Sequence, residues 1–141
     1  MKILILGAGQ VGSTLARYLC LDDDNDITIV DQKEEMLTPL QRHLDIKTVI
    51  GYGAYPSILE KAGIKSMDVV IAVMNSDERN MVACRMAHTL YDVKKKIARI
   101  RTTEYLLQPK MFSNEALPNA FLITPENLIT EYIQGIVEEP G

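Results

Sequence analysis

Five short apolar runs punctuate the first hundred residues, at 2–6, 27–30, 46–50, 69–73 and 97–100. Half-exposed strands alternate apolar with polar residues, whereas compact apolar runs read as strands buried on both faces. The segments between them carry helical spacing: Val11, Leu15 and Leu19 in the first, Met36, Leu37, Leu40 and Leu44 in the second. Residues 56–62 make a short third helix, with Gly63 in the position where a left-handed residue closes a helix. Residues 77–90 make a longer fourth. Asn75 or Ser76 is placed to cap its free amides, and Asp77 and Glu78 complement the positive end of its dipole. Strand and helix alternate throughout. Such an order needs right-handed crossover connections, which produce a parallel sheet covered on both faces.

A chain of 141 residues fits one domain and buries enough surface to need no metal or disulfide staple. Its composition, 47% hydrophobic and 24% charged, belongs to packed globular proteins. The formal net charge of −4 argues against a nucleic-acid surface, which shows as a basic stripe. The one basic cluster, residues 94–96, follows a helix end and reads as a solvated turn, and the acidic run 22–26 reads as a solvated loop. Cys20 and Cys84 fall among apolar helical residues, where a free thiol behaves as a small hydrophobe. With no signal-peptide pattern at the start, they point to a reducing, cytoplasmic setting. No apolar run approaches the roughly 20 residues of a membrane span. The last forty residues differ in kind. Residues 102–118 read as irregular, 121–124 as one more short strand, and 125–138 as a final helix with Pro125 in its first turn. Apolar doublets at Leu128/Ile129, Tyr132/Ile133 and Ile136/Val137 give that helix a broad stripe, suited to an interface. The expected division is an alternating strand-and-helix unit over 1–124 and an interface or connecting helix over 125–141.

The first strand ends at Gly7-Ala8-Gly9-Gln10-Val11-Gly12, and a helix starts at once. In that context Gly7 permits a tight turn, Gly9 lets backbone approach a pyrophosphate, and Gly12 lets the helix pack closely on the strand. Free amides at the helix start hold the anion. Asp31 follows at the end of the second strand, nineteen residues past Gly12. Its carboxylate is placed to accept hydrogen bonds from ribose hydroxyls and to repel a 2′-phosphate. The fold expected is therefore α/β, a Rossmann-like doubly wound parallel sheet with helices on both faces, its ligand beyond the carboxyl ends of the strands. Two further strand ends should flank that cleft, Gly51-Tyr52-Gly53-Ala54 and Val73-Met74-Asn75. Gly51 and Gly53 read either as a close approach to an adenine or as a plain loop. Arg99 reads either as a cation beside the pyrophosphate or as the partner of a carboxylate.

Taken together, these residues resemble the regulator-of-potassium-conductance, or KTN, family, in its Trk potassium-uptake branch. The likeness runs through the glycine string, Asp26-Ile27-Thr28-Ile29-Val30-Asp31, Ser76-Asp77-Glu78-Arg79-Asn80, Ile97-Ala98-Arg99-Ile100-Arg101 and Pro125-Glu126, nearly the whole length. The Ser-Asp-Glu-x-Asn element is more specific than the glycines. The resemblance implies a cytoplasmic homo-oligomeric subunit, dimer or ring, at the inner face of the membrane. It would dock on a Trk-type potassium transporter and bind NAD(H), ATP or ADP to gate it. It also implies that the positions Gly7 to Gly12, Asp31, Val73-Met74 and Arg99 hold pyrophosphate and ribose. Tyr52 and Tyr55 depart from the family pattern, in a stretch where polar or histidine residues are common. The family's regulators carry two such units, each followed by a small lobe, so the chain reads as a piece of a longer one.

The alternative from another class is a small NAD(P)-dependent oxidoreductase, or its nucleotide-binding half. Such an enzyme needs a proton-transfer group beside the nicotinamide and usually a second domain. His43 and His88 read as surface or packing residues. Tyr91 and Lys95 match the Tyr-x-x-x-Lys spacing of short-chain dehydrogenases, but Lys95 is expected in a turn and the glycine pattern differs. A third reading is a domain that keeps the fold for assembly alone. No catalytic set or metal-ligand grouping stands out, so regulatory binding leads.

Overall fold

The computed structural model describes residues 1–113 and a strand at 120–123. The five apolar runs and the short strand expected at 121–124 form one sheet of six parallel strands in the order β3-β2-β1-β4-β5-β6. Central β1 (Lys2–Leu6) pairs with β2 (Asp26–Asp31) on one side and β4 (Val69–Ala72) on the other. Beyond β2 lies β3 (Lys47–Ile50); beyond β4 lie β5 (Lys95–Arg99) and then β6 (Ala120–Ile123). The chain steps outward one way from β1 to β3 and the other way from β4 to β6. The strand order reverses between β1 and β4, and a crevice opens beyond the strand ends at such a point.

Alternate residues of a strand face opposite sides. Ile3 and Ile5 pack with Leu15 and Leu19 of α1 (Gln10–Leu19) and with Leu37 and Leu40 of α2 (Glu34–His43). Leu4 and Leu6 pack with Leu59 of α3 (Pro56–Lys61) and with Ala83, Cys84 and Ala87 of α4 (Asp77–Thr89) on the other face. Each such buried Leu or Ile stabilises the fold by about 1.5–3 kcal/mol. This is the doubly wound architecture expected. Gly63, at φ +85°, follows α3 as foreseen, and of the two candidate caps it is Ser76 that accepts the Arg79 amide, at 3.3 Å.

Three expectations need correction. β3 is not buried on both faces: Lys47 and Ile50 are exposed and Thr48 and Val49 half-buried, because the strand lies at the sheet edge with one neighbour. The 94–96 cluster is not a solvated turn. Asp92 takes a left-handed φ of +52° and the Val93 amide donates to Ala87 O at 2.9 Å, so the chain reverses early and β5 begins at Lys95. Lys96 is 1% exposed, and its ammonium donates to Val93 O at 2.7 Å; only Lys94 lies in water, paired with Asp92 at 3.1 Å. Finally, 102–113 is not wholly irregular. It folds as α5 (Thr103–Leu106) and a 3-10 turn at Pro109–Phe112, whose proline loses no hydrogen bond by lacking an amide proton in the first turn. The final helix expected over 125–138 lies outside the described residues.

Candidate functional site

Between β1 and α1 the chain must turn sharply, and Gly7 does so at φ +110°, a conformation that L side chains rarely adopt. A Cβ there would also come within 2.8 Å of the Val73 carbonyl. At Gly12 a Cβ would overlap the Gly7 carbonyl, so the helix sits on the loop only because that residue is glycine. A Cβ at Gly9 would meet nothing within 4 Å, and no side chain caps α1. The first-turn amides of α1 therefore face open space, which suits an anion.

Asp31 ends β2 beside this loop. One carboxylate oxygen accepts the Ala8 amide at 2.8 Å and the other accepts the Lys33 amide at 2.8 Å. The side chain staples the glycine loop to β2, and each oxygen keeps a further lone pair for a ligand hydroxyl.

The opposite wall is built by the start of α4. Buried Asn80 accepts the Met74 amide at 2.8 Å and donates to Met74 O at 3.1 Å and to Arg99 O at 2.9 Å. Buried Asp77 accepts the Arg101 amide at 3.0 Å and the Thr102 amide at 2.7 Å. Burial pushes the Asp77 carboxyl up, but hydrogen bonds from Thr102 and Arg101 and the Arg101 charge outweigh it and hold it below the usual carboxylate range. These two side chains fix the ends of β4 and β5 relative to each other, and with them the backbone that carries Arg99 and Arg101. Half-buried Arg99 makes no ion pair among the described residues. Burial and the neighbouring Arg101 charge pull its pKa down, and Asp77 partly restores it. The Arg101 guanidinium donates to Asn75 Oδ1 at 3.0 Å.

The two walls enclose a cleft of about 400 Å³ at the carboxyl ends of the strands. Of the residues singled out in the sequence, Gly7, Gly9, Gln10 and Val11 line it on the α1 side, with Asp31 beside them. Gly51, Gly53, Val73, Met74 and Arg99 line it across the crevice. Ala8 and Gly12 do not reach the cleft; Ala8 is fully buried and holds Asp31, and Gly12 packs under Gly7. Tyr52, in the strand end expected to flank the cleft, lines it too, and so do three residues the sequence did not suggest, Lys33, Arg79 and Arg101. With Arg99, these basic groups outnumber the one acidic lining residue, Asp31. Tyr91 and Lys95 lie elsewhere. The Tyr91 hydroxyl donates to Glu60 at 3.0 Å near the end of α3, and Lys95 pairs in register with Val69 at the start of β4, the end of the sheet opposite the cleft. Tyr91 has its pKa raised by burial and by Glu60. Among the described residues no group of His, Cys, Asp and Glu could hold a metal ion.

An open, doubly wound parallel sheet with a glycine loop and an acidic residue at its switch point defines a Rossmann-type nucleotide-binding domain. The chain belongs to the TrkA-N domain family, whose model matches residues 3–115. It is 50% identical over 141 residues to the Trk system potassium uptake protein TrkA of Halomonas elongata, a match covering all of this chain and 31% of that protein. The chain thus spans about a third of that relative's length. Among solved structures it superposes on the TrkA-N domain of the inner membrane protein ybaL from Escherichia coli with a TM-score of 0.74 at 19% identity, covering 97% of this chain and 96% of that one. The AMP-bound Kef CTD of Shewanella denitrificans gives 0.70 at 18% identity, covering 97% and 89%. At those identities the superpositions speak for the fold.

Proposed function

We propose that this chain is the regulatory nucleotide-binding domain of a Trk-type potassium uptake system. It binds NAD(H), or ATP or ADP, and the bound nucleotide gates a membrane potassium transporter on which the assembled regulator docks at the cytoplasmic face. The observation that carries the reading is the division of charge in the cleft. A glycine loop with open amides and one carboxylate, Asp31, face Arg99 and Arg101 across it. A nucleotide has the matching parts: phosphates for the amides and guanidiniums, and a ribose diol for the carboxylate. Gly7, Gly9, Gln10 and Val11 take the pyrophosphate with Arg99, Asp31 takes the ribose, and Gly51, Gly53, Val73 and Met74 border the base. Ala8 and Gly12 serve from behind. The name of the Halomonas elongata relative and the AMP-bound form of the Kef CTD support the same reading.

The domain senses its ligand without turning it over, and it works as a homo-oligomer. Ligand affinity that differs between two arrangements of the assembly shifts their populations, a tenfold difference being worth about 1.4 kcal/mol. Attachment to the membrane runs through the transporter; among the described residues no helix is long and apolar enough to cross a membrane. Calorimetric titration of the purified chain with NADH, NAD, NADPH, ATP and ADP tests the core of this. One site per chain for an adenine nucleotide is expected, and no heat with any of the five at millimolar concentration would remove the reading.

A further inference from the structure

The loop after β3 does not stay at the sheet edge where that strand lies. It crosses toward β1 and β4, and a Cβ on buried Gly53 would sit 3.1 Å from Met74 Sδ and 3.2 Å from Leu6 Cβ. This carries Tyr52 to the first turn of α4, where the Arg79 guanidinium lies over its ring, 4.8 Å from the centroid. On the loop's own side Tyr55 braces Tyr52. The ring centroids are 5.2 Å apart, and the Tyr55 amide donates to Tyr52 O at 3.1 Å before α3 begins. Both Tyr52 and Arg79 line the cleft. Asp31 fixes where a ribose can lie, because its neighbour in the ladder, Ile50, leads straight into this loop and the Gly51 amide donates to Asp31 O at 3.0 Å. The phosphates extend from that ribose toward Gly9, so the base must extend the other way, between residues 51–53 and the β4–α4 turn.

We propose that Tyr52 and Arg79 together are the specificity-determining residues for the base, a planar cation backed by an aromatic ring on which a purine stacks. The inference rests on the nucleotide reading above and adds to it the part of the ligand that phosphate and ribose contacts leave unread. A guanidinium is flat and weakly hydrated and stacks on aromatic faces in a way that an ammonium does not. A purine offers more face to such a platform than a pyrimidine, and one base–aromatic stack is worth roughly tenfold in affinity.

The test uses AMP and UMP, which present the same ribose and phosphate and differ only in the base. The parent chain is expected to bind AMP about tenfold more tightly than UMP. Tyr52→Leu and Arg79→Lys should each remove most of that preference while changing UMP affinity less than about twofold, and Tyr52→Phe should keep it. Thermal unfolding of each variant establishes that the fold is intact; Tyr52 and Arg79 are both exposed, so no core is disturbed. A parallel loss of AMP and UMP affinity in Arg79→Lys would make the residue a phosphate contact and overturn the inference, as would an unchanged preference in Tyr52→Leu. A parent that binds AMP and UMP equally would overturn it while leaving the nucleotide reading in place. A parent that binds no nucleotide would remove both.

Discussion

Two residues show how one side chain serves packing and chemistry at once. Asp31 holds the Ala8 and Lys33 amides through separate oxygens, so its removal should act on the loop as well as on the ligand. If its remaining lone pairs take the ribose hydroxyls, those charge-assisted bonds contribute on the order of 1.5 to 3 kcal/mol. Asp31→Ala should then weaken NADH, ATP and ADP together and narrow the gap to NADPH, whose 2′-phosphate the parent carboxylate repels. Asp31→Asn keeps an acceptor for Ala8, and comparing the two variants in calorimetry separates loop support from charge. A parent that prefers NADPH would take Asp31 away from the ribose. Cys84 is the second residue. Burial pushes its thiol up to about 12 although the nearby Lys96 charge pulls it down, and the thiol donates to Ile97 O at 3.5 Å. The thiolate is the reactive form. A small disulfide reagent at pH 8 should therefore modify Cys20, which is half-exposed, and leave Cys84 untouched until denaturant is added. Rapid labelling of both thiols in the folded chain would contradict the burial described.

At the scale of elements, the site depends on one junction, where the start of α4 ties the end of β4 to the end of β5. Asp77→Ala would leave the Arg101 and Thr102 amides without their acceptor, a loss of about 1 to 3 kcal/mol if water does not replace it. The pH dependence follows from the direction of the shift. A carboxyl held below its ordinary value contributes stability that is fully present above the unfolded-state pKa, about 3.9, and is lost as pH falls through the folded value. The difference in melting temperature between parent and Asp77→Asn should be constant from pH 6 to 8 and shrink below about pH 4; a difference that grows on acidification would refute the assignment. Much of this scale was legible in the sequence. The apolar runs, the glycine loop and the Ser76 cap arise from local pattern, and local pattern is what a sequence displays. Strand order is not local, so nothing in the run at 46–50 announced that β3 would be an edge. Lys95 and Lys96 misled because a charged residue reads as solvated, whereas a lysine buries its long apolar stem if its ammonium finds carbonyls. The Ser-Asp-Glu-x-Asn element stood out, but the partners of Asp77 and Asn80 lie up to 25 residues away, beyond what the motif itself reveals.

For the molecule as a whole, the decisive property is that its two ends are chemically different. All strands are parallel, so their carboxyl ends share the edge of the sheet at which the cleft lies and their amino ends share the opposite edge. Tyr91 follows α4, whose 13 residues extend about 20 Å away from the cleft, and Lys95 opens β5 at that far edge. A proton relay built on this pair could not reach a ligand at Gly9. Within the cleft, the guanidiniums of Arg79, Arg99 and Arg101 offer hydrogen-bond donors and no acceptor atom. The Asp31 carboxylate is already engaged by two amides. The expected outcome is that NADH binds and is released unchanged. Incubation with a panel of small aldehydes and ketones, followed at 340 nm, should show no oxidation above the protein-free rate. Turnover abolished by Tyr91→Phe or Lys95→Ala would mean that the far end acts on the ligand and that the placement of the cleft is wrong. Turnover that survives those changes but disappears in Asp31→Asn would instead give the cleft a catalytic carboxylate, and the chain would have to be regarded as an oxidoreductase domain.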